Sequence, residues 1–209
     1  INSILSCQST RTMESENFSS LYPAGEEMVI PTEADLQAFT PYVNPYIASL
    51  WTGSGFGVYG DGFIQLVDPR EWNPRLEKWL GRTDPTNTML LISWGGHIFY
   101  HKDLGEHELE GQMYKVEEIN WLNPNTGEVT RVATDAQQFF EEWLTHPEIR
   151  ARELRQARFE YGVKEYGPLA PGEIFYEDPT HFEGGGEEVI NLEKVDALEH
   201  LVFLFEDQY

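Results

Sequence analysis

Five glycines in ten residues, Gly53, Gly55, Gly57, Gly60 and Gly62, constrain this chain more than any other stretch. No helix survives that density, so the segment reads as a loop or a set of tight turns. Around it the chain is punctuated finely. Thr32-Glu33-Ala34-Asp35 reads as a helix start, and Val43 to Trp51 as a short helix with Pro45 in its first turn. Phe63 to Val67 reads as a short strand. Asp68-Pro69 and Asn73-Pro74 both resemble cap-plus-proline starts. The second is favoured, since a proline inside a helix begun at Pro69 costs about 3 kcal/mol. Leu76, Trp79 and Leu80 then line one face before Gly81.

Met89 to Trp94 and His97 to Lys102 read as strands joined by Gly95-Gly96, and Gln112 to Leu122 and Glu128 to Ala133 as a second hairpin. Thr134 and Gln137 form a capping box for a helix. Its Ala136, Phe139, Phe140, Trp143 and Leu144 follow a 3.6-residue period. Glu148 to Val163 reads as a further helix, Pro168 to Glu188 as irregular, and Asn191 as the cap of a last helix. The expected class is α+β, an antiparallel sheet of hairpins with helices packed on it. With 40% hydrophobic residues, including six Trp, ten Tyr and twelve Phe, the chain can bury a core without staples. Residues 1–25 are expected to be a Ser-rich mobile lead, with Met13 as the native start.

Cys7 is the only cysteine, so an intrachain disulfide is impossible and a reducing, cytoplasmic setting is expected. No apolar run approaches the ~18 residues that a membrane span needs. Charge narrows the partners. Asp and Glu number 36 against 14 Lys and Arg, a net −22 that repels nucleic acid and anionic membrane and favours a basic partner. Residues 51–100 hold five acids and four bases, whereas 101–150 hold eleven and four and 151–209 fourteen and five.

Two acidic stretches look like binding material. One carries Asp103, Glu106, Glu108, Glu110, Glu117 and Glu118 against Lys115 alone. The other carries Glu173, Glu177, Asp178, Glu183, Glu187 and Glu188 with Phe175, Tyr176, His181 and Phe182. Aromatic anchors inside a charged rim are the make-up of tight interfaces. The alternative is two solvated loops with inward-turned rings. Arg150, Arg152, Arg155 and Arg158 are expected to pair with neighbouring acids.

Catalytic signatures are weak. Gly55-Phe56-Gly57-Val58-Tyr59-Gly60 spells G-x-G-x-x-G, but a helix precedes it and a strand follows, the reverse of a dinucleotide site. His97 and His101 would share a strand face about 13 Å apart, too far to ligate one ion. They read as half-exposed hairpin histidines. No nucleophile elbow, Walker loop or Cys–His pair occurs. No enzyme, metal or cofactor is expected.

The run Gly57-Val58-Tyr59-Gly60-Asp61-Gly62-Phe63-Ile64-Gln65-Leu66-Val67-Asp68-Pro69 resembles the glycine-rich signature of GAD-like domains. Tyr166 to Glu173 and Asn191 to Leu201 resemble the domain that closes the same proteins, in the same order. Members include immunity proteins of bacterial type VI secretion systems that bind and silence a DNase effector. The resemblance implies a GAD-like α+β domain at 26–145, a smaller, mainly helical immunity-type domain at 146–209 packed on it, and a basic nuclease toxin as partner. A GAD-like scaffold or regulatory module without a toxin is the alternative it leaves. Where the family runs through mostly small and apolar residues, this chain has Phe175 to Glu183, which marks where partner specificity is expected. Asp103, Glu106, Glu108 and Glu110 of the first stretch and all the acids and rings of the second are therefore the expected toxin-binding residues.

Overall fold

A computed structural model describes residues 17–177 and 191–206. Its centre is a six-stranded antiparallel sheet in sequence order: β1 (Gly57–Tyr59), β2 (Ile64–Leu66), β3 (Asn87–Ser93), β4 (Ile98–Leu109), β5 (Gln112–Leu122) and β6 (Val129–Ala133). β3 is buried at every position, as a central strand covered on both faces must be. A bulge at Leu90 interrupts its alternation, so Leu90 and Leu91 join the same core while Met89 and Ile92 join the other.

The larger core unites Leu90, Leu91, Phe99 and Ile119 with short α1 (Phe18–Leu21), α2 (Glu33–Leu36), α3 (Pro45–Ser54) and the elements after β6. Those are α5 (Ala136–Gln138), two π-helical turns, π1 (Phe139–Trp143) and π2 (Ile149–Glu153), and α6 (Gln156–Tyr166). On the other face, Met89, Ile92, Ile98, Tyr100 and Leu122 meet α4 (Pro69–Trp79) and α7 (Ala197–Glu206), whose Trp79 and Phe205 stack with centroids 4.8 Å apart. A separate ribbon, β7 (Glu173–Glu177) with β8 (Leu192–Asp196), docks at the β3–β4 turn, where the Phe175 amide donates to the Trp94 carbonyl at 2.8 Å. Phe63 and Trp94 share a cluster with Phe159 and Phe175, so residues on both sides of position 145 pack together.

Several expectations give way to local chemistry. The mobile lead does not extend to residue 25, because Phe18 and Tyr22 are core residues and the Tyr22 hydroxyl donates to the Leu144 carbonyl. The helix at 69–79 starts at Asp68, not Asn73, and carries Pro74 inside it. Asp68 caps the Arg70 amide, and burial of Trp72, Leu76 and Trp79 outweighs one missing backbone bond. Asn73, freed from capping, ties α4 to β3 by accepting from the Met89 amide and donating to the Asn87 carbonyl.

After β6 the cap is Asp135 rather than Thr134, and the apolar period expected to make an α-helix widens into π1. The chain predicted as one helix from Glu148 to Val163 breaks at Arg155, which is left-handed at φ 46°. Leu192–Asp196 forms a strand, so the last helix begins at Ala197 and not after Asn191.

The glycine run is explained by close approach. Residues 24–29 lie along β1, and a Cβ on Gly55 would meet the Val29 carbonyl oxygen at 2.8 Å. Gly62 has φ 96°, and its Cβ would sit 2.5 Å from the Leu169 Cβ. As expected, a helix enters the run and strands leave it.

Candidate functional site

The second acidic stretch is more ordered than its composition suggests. Glu173–Glu177 is a strand, not irregular chain. Phe175 is only 2% exposed, among Trp94, Phe159 and Tyr166 and against Gly162, so it serves the core and offers no surface anchor. Tyr176 is half-buried, its ring 4.4 Å from His200, whose pKa burial lowers. Glu177 pairs with Arg155 and Arg158, and Glu173 accepts from the Ala170 amide and lies 3.8 Å from the Lys194 ammonium. The four-arginine patch thus finds one of its acids at Glu177. Asp178, His181, Phe182, Glu183, Glu187 and Glu188 lie outside the described residues.

The first stretch, expected to lie partly between the two hairpins and partly in the first strand of the second, instead forms one continuous feature. β4 and β5 pair continuously from Ile98↔Leu122 to Leu109↔Gln112, yet β3 pairs with β4 only as far as Lys102, and β6 with β5 only as far as Ile119. Residues 103–118 are therefore a two-stranded arm with no sheet neighbour. At ~3.3 Å per residue it reaches about 20 Å past the sheet. Glu110 and Gly111, both at positive φ, make its two-residue turn.

Register assigns the faces of the arm. Glu106 opposite Lys115 and Glu108 opposite Met113 share one; His107 opposite Tyr114 and Leu109 opposite Gln112 share the other. Leu109 is 65% exposed, Met113 59% and Tyr114 48%, and Leu104 at the bulge is also exposed. These apolar residues were missed because attention went to the acids. Their signal was the Glu110-Gly111 pair between alternating flanks. Asp103 is not a free arm acid: it accepts from the Gly105 amide and lies 3.5 Å from the Lys115 ammonium. Lys115 also donates to the Pro41 and Tyr42 carbonyls, tethering the arm to the α2–α3 connection.

At the base of the arm sits a buried polar knot. His101 and Glu117, expected on half-exposed and solvated chain, are 0% and 5% exposed, with Nε2 and Oε2 3.0 Å apart. Glu117 Oε1 also accepts from the Ala136 amide at 2.7 Å and from Asn44 Nδ2 at 2.9 Å. Asn44 Oδ1 in turn caps α3 through the Tyr46 amide. One carboxylate thus joins β4, β5 and the starts of α3 and α5. Burial raises its pKa, but the bonds from His101, Ala136 and Asn44 and the nearby imidazole outweigh it and hold Glu117 below the ordinary carboxylate range. The same logic runs the other way at His97, packed 5.0 Å from Trp121, where burial and then the charge of Arg155 lower its pKa to about 4.

Two surface grooves accompany these features. One runs between α2 and α3, past Leu36, Gln37, Thr40, Ala48 and Thr52. The other, beside β6, is lined by Val132, Gln138, Glu142, Trp143, His146 and Ile149. Neither contains the His101–Glu117 pair, and in the first groove, which Glu33 and Ser49 also line, the Ser49 hydroxyl donates to the Tyr46 carbonyl. Among the described residues no three His, Cys, Asp or Glu side chains group to hold a metal, and no helix is long and apolar enough to cross a membrane.

Residues 133–206 match the model of the family described as T6SS immunity protein Tdi1, C-terminal. That match is a similarity over these residues to the C-terminal part of a type VI secretion immunity family. It takes in everything from the end of β6 to α7 and leaves the arm outside. The structure is similar to the crystal structure of Atu4351 from Agrobacterium tumefaciens, at 20% identity and a TM-score of 0.61. The similarity covers 91% of this chain and 88% of that one, and it is a likeness of fold. No curated protein matches the chain.

Proposed function

We propose that this chain is a non-enzymatic immunity protein that binds the nuclease domain of a cognate type VI secretion DNase toxin and occludes its active site. The match of residues 133–206 to a type VI immunity family carries the reading. In it, residues 26–145 are a GAD-like frame and 146–209 the immunity-type part packed on that frame. The −22 charge supports the choice of toxin, because an enzyme that cuts DNA needs a cationic groove for phosphates, and an acidic protein competes for that groove. The same charge disfavours nucleic acid or anionic membrane as partner. Two separate sets of residues are proposed to meet the toxin: the arm acids Glu106, Glu108 and Glu110, and, starting from Tyr176 beside the β3–β4 turn at the other end of β4, the expected residues onward to Glu188. Glu173, Phe175 and Glu177 are held by internal partners and are not among the proposed contacts.

Silencing a toxin to the last molecule calls for at least nanomolar affinity, about −12 kcal/mol. An interface of ordinary size, on the order of 1,600 Å² in total, suffices for it. The test is calorimetry of the full chain against the purified nuclease domain encoded beside it. One-to-one nanomolar binding with loss of DNA cleavage is expected. Micromolar binding or none would favour a GAD-like scaffold without a toxin.

A further inference from the structure

The arm poses a physical problem. Two-stranded ribbons are marginal in water without a face to pack on, yet residues 103–118 have no sheet neighbour and display Leu109, Met113 and Tyr114 to solvent. The chain reinforces the base instead, with the Glu117 carboxylate inside and the Lys115 tether outside. A segment held stiffly at its root and apolar at its tip is built to be covered by something else. Its charge restricts what. Glu106, Glu108 and Glu110 surround the apolar tip, and the arm's one base, Lys115, is engaged by Asp103 and two carbonyls. A second copy of a −22 chain would set acid against acid, and nucleic acid and anionic lipid are repelled in the same way. What remains is a basic protein with an apolar-floored cleft.

We propose that the free end of the β4–β5 arm inserts into the cationic cleft of the toxin's nuclease domain. The face of His107, Leu109 and Tyr114 seats on the apolar floor of the cleft, and Glu106 and Glu108 on the opposite face, with Glu110 at the turn, meet the basic surface that closes over it. This rests on the immunity reading above and adds to it which element enters the cleft and by which face. Apolar anchors of this kind govern dissociation, whereas rim charges govern encounter.

The experiment uses the full chain and the purified, catalytically inactive nuclease domain encoded beside it, followed by stopped-flow association and dissociation at low and high salt. The variants are Leu109→Ser with Tyr114→Ser, and Glu106→Gln with Glu108→Gln and Glu110→Gln. Phe203→Ser, on the exposed side of α7, is the control, and circular dichroism and melting verify that each variant folds. The apolar pair is expected to dissociate at least 30-fold faster at unchanged association. The acid triple is expected to associate at least five-fold slower at low salt, with the difference vanishing at high salt. If the parent binds tightly and both variants behave like it, the arm proposal falls while the immunity reading stands. If the parent does not bind the nuclease domain, both fall. Sedimentation showing a dimer of the parent that the apolar pair abolishes would assign the arm to self-association and overturn the proposal.

Discussion

Replacing Glu117 tests whether the arm's root is organised as described. In Glu117→Ala, the Ala136 amide, the Asn44 side-chain amide and His101 Nε2 all lose their acceptor where water does not reach. Each stranded buried donor costs about 1–3 kcal/mol, and removing one member of a buried pair typically costs about 3–5 kcal/mol. The loss should therefore be about 4 kcal/mol. For a domain of this size, that corresponds to a fall in Tm of roughly 8–16 °C. Glu117→Gln keeps an acceptor oxygen and should lose about half as much. The pH dependence separates charge from shape. Because the folded-state pKa of Glu117 lies below the ordinary value, the ionised carboxylate stabilises the fold fully above the unfolded glutamate range near ~4.3, and that contribution is lost as pH falls through the depressed value. The part of the stability gap between parent and Glu117→Gln that comes from ionisation of the carboxylate should be lost only as pH falls below about 4. Urea unfolding followed by tryptophan fluorescence across this range measures it. An Ala variant within 1 kcal/mol of the parent, or a gap that already closes near neutrality, would refute the buried-knot account.

At His97 the sign is similar but the window differs. Its pKa of about 4 against ~6.5 unfolded means stability is full above ~6.5 and drains as pH falls toward 4, by at most about 3 kcal/mol. His97→Phe should flatten the stability curve there, and superimposable curves would count against a half-buried ring held neutral. Gly62→Ala, at positive φ with Leu169 in the way, should cost more than about 2 kcal/mol in urea unfolding, while Gly95→Ala, with open space around it, should cost under about 0.5. Neutralising Glu106, Glu108 and Glu110 should leave the melting temperature within about 2 °C of the parent, since surface charges away from packed features contribute little.

What could be read in the sequence depended on the range of the forces involved. Local chemistry was legible. The Thr32–Asp35 capping box forms, Pro45 opens α3, and the Gly95-Gly96 turn joins β3 to β4. Where distant packing decides, local rules misled. Pro74 argued against a helix that buried tryptophans maintain. Phe175 looked like an anchor because composition cannot tell a ring that faces a partner from one wedged on Gly162. The Glu117 knot joins residues 44, 101, 117 and 136, a meeting no local window contains. The arm was half legible. Its acids stood out, but the length of its free portion depends on where β3 and β6 stop, and that is a property of register.

The arm has one further consequence. Outward from the Glu117 knot its side chains pair with one another, while the glycine run at 53–62 and the elements after β6 are locked by contacts that admit little change. The molecule is thereby divided into a part that mutation damages and a part that mutation merely redirects. If the arm meets the toxin as proposed, substitutions at positions 106–109 and 112–114, outside the positive-φ turn, alter what it recognises without unsettling the fold that displays it. On that proposal a lineage facing a new toxin could alter partner choice in these few codons and inherit the rest unchanged.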